Sequence, residues 1–223
     1  IVAAASIQAK QQGIKTAMST WEAKHLCPSI IFVQGDPEKY AEITHRFNAI
    51  FQEFTPLVEV FSVDECFLDV TSEAQDYLGA IVIAQMIKHR LREECGEHIT
   101  CSIGIASNKL MAKLASEQIK PDGLTVTKPG EEMSLLDTCD LSDLCGIGRR
   151  IEERLHDLGI FTFRSLRNYP IERLVHEFKS TGYWLHDAAH GKGDDVVVAE
   201  QAAPKSVGHS YTLAQDTTDV ELM

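Results

Sequence analysis

Residues 57–71, LVEVFSVDECFLDVT, constrain the fold more than any other stretch of the chain. Val58 and Val60, and then Phe67 to Val70, have strand-like composition on either side of Ser62-Val63-Asp64-Glu65. Two such runs around a polar turn pair as a β-hairpin, with Asp64 and Glu65 near its tight turn. A lone hairpin is marginal in water, so its apolar side must be covered by other elements. The neighbouring sequence supplies them.

Residues 36–54 predict an amphipathic helix with Asp36 as N-cap and Pro37 at the first helical position. Tyr40, Ile43, Phe47, Ile50 and Phe51 recur there at helical spacing. A longer helix is expected over 74–95, with Ile81, Ala84, Ile87, His89 and Leu91 shared between its faces. A strand at 99–106 follows, then a helix opened by Ser107 or Asn108. After a turn at Lys120-Pro121-Asp122-Gly123 comes a short strand at 124–127. The order α-β-β-α-β-α-β over 37–127 predicts an α+β layer, with helices on one face of a mostly antiparallel sheet. Upstream, residues 5–26 suggest helical pieces, with Ile14 and Met18 four apart and Pro28 as a stop, and 29–33 (SIIFV) suggest a strand. After a break at Lys128-Pro129-Gly130, residues 131–191 hold only short helical patterns with Gly-containing turns, a small all-α domain. A connector over 192–205 leads to a β-like start, SVGHSYTL, at Ser206.

A hydrophobic fraction of 44% and a charged fraction of 24% describe an ordinary globular chain and exclude collagen-like, disordered and disulfide-knot classes. No apolar run approaches the roughly 18 residues of a membrane span. The net charge of −12 argues, as a sum, against binding nucleic acid. Its distribution matters more, because residues 1–36 carry three basic and two acidic groups. The six cysteines form no CxxC pair. Cys95-x2-His98-x2-Cys101 comes nearest to zinc spacing but lacks an obvious fourth ligand, so the cysteines read as reduced thiols of a cytosolic protein. The chain opens IVAAASIQAK and ends TLAQDTTDVELM, which reads as a fragment truncated at both ends rather than as a signal peptide.

Adjacent acids at a strand turn repel one another unless a divalent cation neutralises them. Magnesium is commonly held by one or two carboxylates together with substrate phosphate oxygens. Two such ions can activate a 3′-hydroxyl and stabilise a leaving pyrophosphate. Asp64 and Glu65 suit that task, the alternative being a solvated hairpin tip. Asp69, on the following strand, reads as structural.

Leu141-Ser142-Asp143-Leu144-Cys145-Gly146-Ile147-Gly148-Arg149-Arg150 gives the second signal. Two glycines around an apolar residue, followed by a helix ending in LxxLGI, fit a helix-hairpin-helix. The amides at the second helix's N-terminus would bind a DNA phosphate without reading sequence, and Arg149 and Arg150 add charge. An ordinary turn between packed helices is the alternative. Lys109 and Lys113 on the helix after Asn108, and Lys120 before Pro-Asp-Gly, could meet a triphosphate as point charges or be solvated helix-face charges.

Together these blocks resemble the Y-family (translesion) DNA polymerases. Ser62-Val63-Asp64-Glu65-Cys66-Phe67-Leu68-Asp69-Val70-Thr71 matches the family's S-[IV]-D-E-x-[FY]-x-D-[VL]-T block. Ser102 to Lys109, with Lys113, Ala115 and Ser116, matches SxGIAxNKxxAKxAS. Lys120 to Gly123 matches KPxG, Leu144 to Gly148 the thumb hairpin, and Lys205 to Gly208 the KSVG that opens the last domain. The resemblance implies partial fingers (1–36), a palm (37–128), a thumb (129–193), a linker (194–205) and the start of a little finger (206–223). It implies template-directed transfer of nucleotides from dNTPs to a primer terminus past damaged bases. Asp64 and Glu65 would hold two Mg²⁺ ions, Lys120 and Lys10 would meet the triphosphate, and Gly146, Ile147, Gly148 and Arg149 would grip primer–template DNA. A sliding clamp is a further expected partner, a membrane is not, and the expected place is the cytoplasm of a bacterial-type cell, at the nucleoid.

Three departures qualify the resemblance. The family's opening strand, with another metal-binding Asp and the aromatic that excludes ribonucleotides, has no counterpart here, so this stretch alone is expected to be inactive. The finger motif reads Ala4 to Gly13 with Ile7 and Lys10 where Tyr and Arg are usual. Ile7 cannot donate a hydrogen bond, and Lys10 lacks the guanidinium fork. The basic little finger is nearly absent. A catalytically impaired, DNA-gripping accessory of a mutagenesis complex is therefore the alternative. A nucleotide-cyclase-like palm also carries acids on a hairpin but needs no duplex grip.

Overall fold

The computed structural model describes residues 1–200 and 206–208. The β-like start expected from Ser206 lies, beyond Gly208, outside the described residues. The chain forms two units, Ile1–Ala41 and Glu42–Met223.

The first unit contains α1 (Ile7–Gln11), α2 (Thr20–Leu26) and the first turn of α3 (Pro37–Gln52). Ser6 caps α1, and a Ser19–Glu22 capping box starts α2. Val2, Ile14 and Ala23 form its small core, with Ala5, Ala9, Met18, Cys27 and Ile30 against it. Ile14 and Met18 were expected on a helix. Instead they follow the turn at Gly13, and Ile14 plugs the core from a loop. The strand expected at 29–33 does not form, and Ile31 and Val33 stand exposed. Strand composition cannot make a strand without a ladder partner, and none pairs with this segment among the described residues.

In the second unit the hairpin forms as expected. β1 (Val58–Val60) pairs antiparallel with β2 (Cys66–Leu68), with Val58 opposite Leu68 and Val60 opposite Cys66. The amides of Phe61 and Ser62 both donate to the Glu65 carbonyl, at 2.9 and 3.1 Å, and close the tip. Asp36 does cap α3, accepting from the Lys39 amide at 3.1 Å. The predicted helix at 74–95 is split by Gln75 into α4 (Thr71–Ala74) and α5 (Tyr77–Cys95), the latter capped by Asp76. Ile50, Ile87 and Leu91 form a core joining α3 to α5, and Phe47, Phe51, Leu68 and Ile103 pack on it.

The α+β class holds, but among the described residues the strands form two separate two-stranded sheets, β1 with β2 and the two later strands with each other, rather than one mostly antiparallel sheet, and the second differs in two further details. β3 (Ile103–Ile105) and β4 (Leu124–Val126) pair in parallel, in register Ile103 to Leu124. The helix between them, α6 (Lys109–Gln118), carries the chain back, so the second strand runs the same way as the first. The helices also lie on both faces of this pair. Ile103 points into the α3–α5 core, whereas a Cβ on Gly104 would lie 1.9 Å from the Ala112 carbonyl oxygen of α6. Gly104 is therefore required by the close approach of a helix backbone.

After Val126 the chain is helical: α7 (Glu132–Leu136), a 3-10 turn (Leu141–Asp143), α8 (Arg149–Asp157), α9 (Phe163–Arg167), α10 (Ile171–Phe178) and α11 (Ser180–Ala189). Their core contains Leu136, Leu144, Ile147, Leu155, Phe163, Leu166, Leu174 and Leu185, together with Met111 and Leu114 of α6. One helix thus serves the parallel strands on one side and the helical bundle on the other. No helix among the described residues is long and apolar enough to cross a membrane.

Candidate functional site

Lys109, Lys113 and Glu117 succeed one another four residues apart and share one face of α6. Asn108 fixes the start of that helix by accepting from the Met111 amide at 2.9 Å, and its side-chain amide donates to the Gly191 carbonyl at 2.9 Å. Met111, Leu114 and Ala115 are buried beneath, so the polar face has a rigid mount.

This face meets the acids of the hairpin. Lys113 Nζ lies 2.5 Å from Glu65 Oε1 and over the Phe61 ring, 5.4 Å from its centre. Lys109 Nζ is 2.9 Å from both Glu59 and Asp194. Asp64 stands exposed at the tip, and its Oδ1 accepts from Ser62 Oγ at 2.8 Å. Burial pushes the thiol of neighbouring Cys66 up to about 11, with a smaller push from the Asp64 charge. The Cys66 thiol donates to Asn48 Oδ1 at 3.2 Å. Asp69 accepts from Thr71, which holds its carboxyl below the usual range and fits the structural role expected of it.

Lys113, Glu117 and Gln118 form one wall of a cleft of about 810 Å³, and Ser142 to Gly148 form the other. In that second wall Leu144 and Ile147 are buried anchors, while Cys145, Gly146 and Gly148 are exposed, as are Arg149 and Arg150 just beyond it. The Ile147 amide donates to the Leu144 carbonyl, so this residue holds the loop from beneath. Gly146 has φ +109°, and a Cβ there would lie 2.6 Å from the Trp184 ring. Gly148 caps α8 in an extended conformation, with open space where a Cβ would go. The Ile151 and Glu152 amides donate to the Gly148 carbonyl at 2.9 and 3.1 Å, so the amides of Arg149 and Arg150 precede the first intrahelical bond. Arg149 is drawn back along α8 by Glu153, 2.8 Å away.

Lys120 is exposed and pairs with Glu117 at 2.7 Å, one contact behind the cleft wall. Its KPDG turn is clamped from α5. Lys88 donates to the carbonyls of Asp122 and Gly123, and Arg92 pairs with the Asp122 carboxylate. Lys10 is exposed in the first unit, on α1. The glycine pattern did not reveal Trp184 as the floor under Gly146, and charge alone did not single out Glu59 and Asp194 as the partners of Lys109. The four-residue repeat of Lys109, Lys113 and Glu117 was the signal for a shared polar face.

Among the described residues, no three His, Cys, Asp or Glu side chains come together as a metal site. Asp64 and Glu65 offer hard oxygens, and Glu65 already attracts a cation in the form of Lys113. Carboxylate donors of this kind fit magnesium rather than a softer metal.

Residues 1–117 match the model of the impB/mucB/samB family, and residues 129–160 match that family's HHH motif. The chain is 39% identical to a DNA polymerase IV of Bacteroides fragilis over 97% of its own length and 58% of that protein. It is 40% identical to a DNA polymerase IV of Moorella thermoacetica, over 97% and 54%. The chain thus spans a little over half the length of these relatives. Among solved structures, a Y-family DNA polymerase chimera of Dbh and Dpo4 superposes with a TM-score of 0.81 at 30% identity, over 88% of this chain and 57% of that one. The insertion ternary complex of Dbh DNA polymerase gives 0.80 at 30% identity, over 87% and 57%.

Proposed function

The chain belongs to the impB/mucB/samB family, and from that premise we propose that it is the palm, thumb and part of the fingers of a lesion-bypass DNA polymerase. The observation that carries the reading is the cleft: Lys113, which holds Glu65, faces the Gly146–Gly148 loop across it. A lysine that holds a hairpin carboxylate on one wall, and a backbone grip on the other, suit a primer end held against an incoming nucleotide.

A divalent cation follows from the polymerase reading, and the finer assignment is two Mg²⁺ ions held through Asp64 and Glu65. When bound, the metal would lower the pKa of the primer hydroxyl and neutralise the triphosphate. The protein's own part is positional. The hairpin carries both carboxylates, α6 supplies Lys113 beside Glu65, and Lys120 and Lys10 go to the triphosphate on their motif positions. Gly146, Ile147 and Gly148 shape the loop that presents the α8 amides to a DNA phosphate, with Arg149 beside them. Primer–template DNA and dNTPs are the partners, a sliding clamp a further one, and a cytoplasmic, nucleoid-associated place accompanies that work.

The test is primer extension with magnesium by the intact polymerase. Asp64→Ala with Glu65→Ala should abolish extension and leave DNA binding in place. Undiminished extension would remove the metal assignment. The second reading, a DNA-gripping accessory without catalysis, is favoured by Ile7 and Lys10 in the finger motif. It predicts DNA binding with no extension by the unsubstituted protein.

A further inference from the structure

We propose that Lys113 is a reserve cation for Glu65, a positioning residue whose ammonium occupies the carboxylate until a divalent metal arrives and then turns to phosphate in the cleft. The inference rests on the polymerase reading and gives one residue a task within it. Its basis is the contrast between two lysines one turn apart on α6.

Lys109 lies between two carboxylates, Glu59 and Asp194, each at 2.9 Å. Glu59 also accepts from the Val198 amide at 2.8 Å, so this lysine ties the hairpin to the segment leaving the bundle. Its charge is fully committed. Among the described residues Lys113 makes one ion pair, at 2.5 Å to Glu65, and its ammonium also lies over the face of Phe61. A ring face attracts an ammonium without neutralising it. Lys113 also lines the cleft, which Lys109 does not.

The geometry permits exchange. The backbone of α6 is fixed by the buried Met111, Leu114 and Ala115, while four flexible carbons separate Cα from Nζ. Before metal binds, the Glu65 charge is compensated, so Asp64 and Glu65 need not repel one another bare. A divalent ion must displace the ammonium, which weakens metal binding by the empty protein. A triphosphate in the cleft gives the displaced ammonium a new partner, so metal and nucleotide favour one another's binding through Lys113.

Mn²⁺ titration of the intact protein, followed by electron paramagnetic resonance without DNA, tests this. Lys113→Met, which keeps the packed stem, should bind Mn²⁺ about tenfold more tightly than the unsubstituted protein. Lys113→Gln should do the same, and Lys113→Arg should restore the weaker binding. Adding a dNTP should tighten Mn²⁺ binding more for the unsubstituted protein than for Lys113→Met. Equal or weaker Mn²⁺ affinity in both Lys113→Met and Lys113→Gln overturns the proposal. If Glu65→Gln then still weakens Mn²⁺ binding, the metal assignment survives that failure. Mn²⁺ binding indifferent to Glu65→Gln removes both.

Discussion

Gly146 and Gly148 are two residues apart and answer to different demands. Gly146 combines a positive φ with a Trp184 ring where a side chain would go, so Gly146→Ala should destabilise the helical bundle by about 1–3 kcal/mol, read from urea unfolding. Gly148 has an ordinary φ and open space around it. Gly148→Ala should leave the unfolding midpoint almost unchanged, since the added methyl enters open space, yet weaken DNA affinity, because on the proposed function that space is where a phosphate would approach the α8 amides. Equal loss of stability in both variants would contradict this division. The sequence made both glycines visible as a turn, but the residue that makes the first obligatory, Trp184, is 38 positions away and had no local signature. The thiols give a second prediction at this scale. Burial raises Cys66 and Cys101 from the ordinary 9.0 to about 11. The folded state therefore holds these protons more tightly than the unfolded one. Their contribution to stability is complete below pH 9 and is lost as pH rises towards about 11. Urea midpoints should fall over that window, and Cys66→Ser with Cys101→Ser should flatten the fall.

Among the elements, α6 has the most to satisfy. Its Ala112 carbonyl sits against Gly104, Lys109 and Lys113 reach the hairpin acids, and Met111 and Leu114 complete the core of the helical bundle. Leu114→Ala should cost about 2–5 kcal/mol, since it opens a cavity where the strands and the bundle share one helix. A single cooperative transition, lowered as a whole, is the expected urea curve. Two separated transitions would mean that the bundle folds apart from the strands. The hairpin and α6 were legible because each carries a local period and a cap or turn residue. The parallel pairing of β3 and β4 was not, because strand composition is silent on direction and only the returning helix between them sets it. The strand expected at 29–33 failed for a related reason: an apolar run specifies a strand only where a ladder awaits it.

At the scale of the whole molecule, the proposed function asks a chain with a net charge of −12 to hold a polyanion. The proposed grip is a local answer: helix amides and a small number of arginines at the start of α8 would face a phosphate, and a broad basic surface would not be needed. Both arginines are exposed, but Arg149 shares its charge with Glu153, whereas Arg150, at the next position of the same helix, makes no ion pair among the described residues. Arg150→Ala should therefore weaken primer–template binding more than Arg149→Ala, and by the same factor for every DNA sequence, since backbone contacts carry no base information. The same argument fixes the salt dependence. Neutralising about two phosphates gives a slope of about −2 in log affinity against log salt. Fluorescence anisotropy of a labelled primer–template with residues 1–223, titrated across sodium chloride concentrations, measures it. A slope steeper than about −6 would require many more lysines and arginines on the DNA than the α8 end provides, and the grip would then have to lie on another surface.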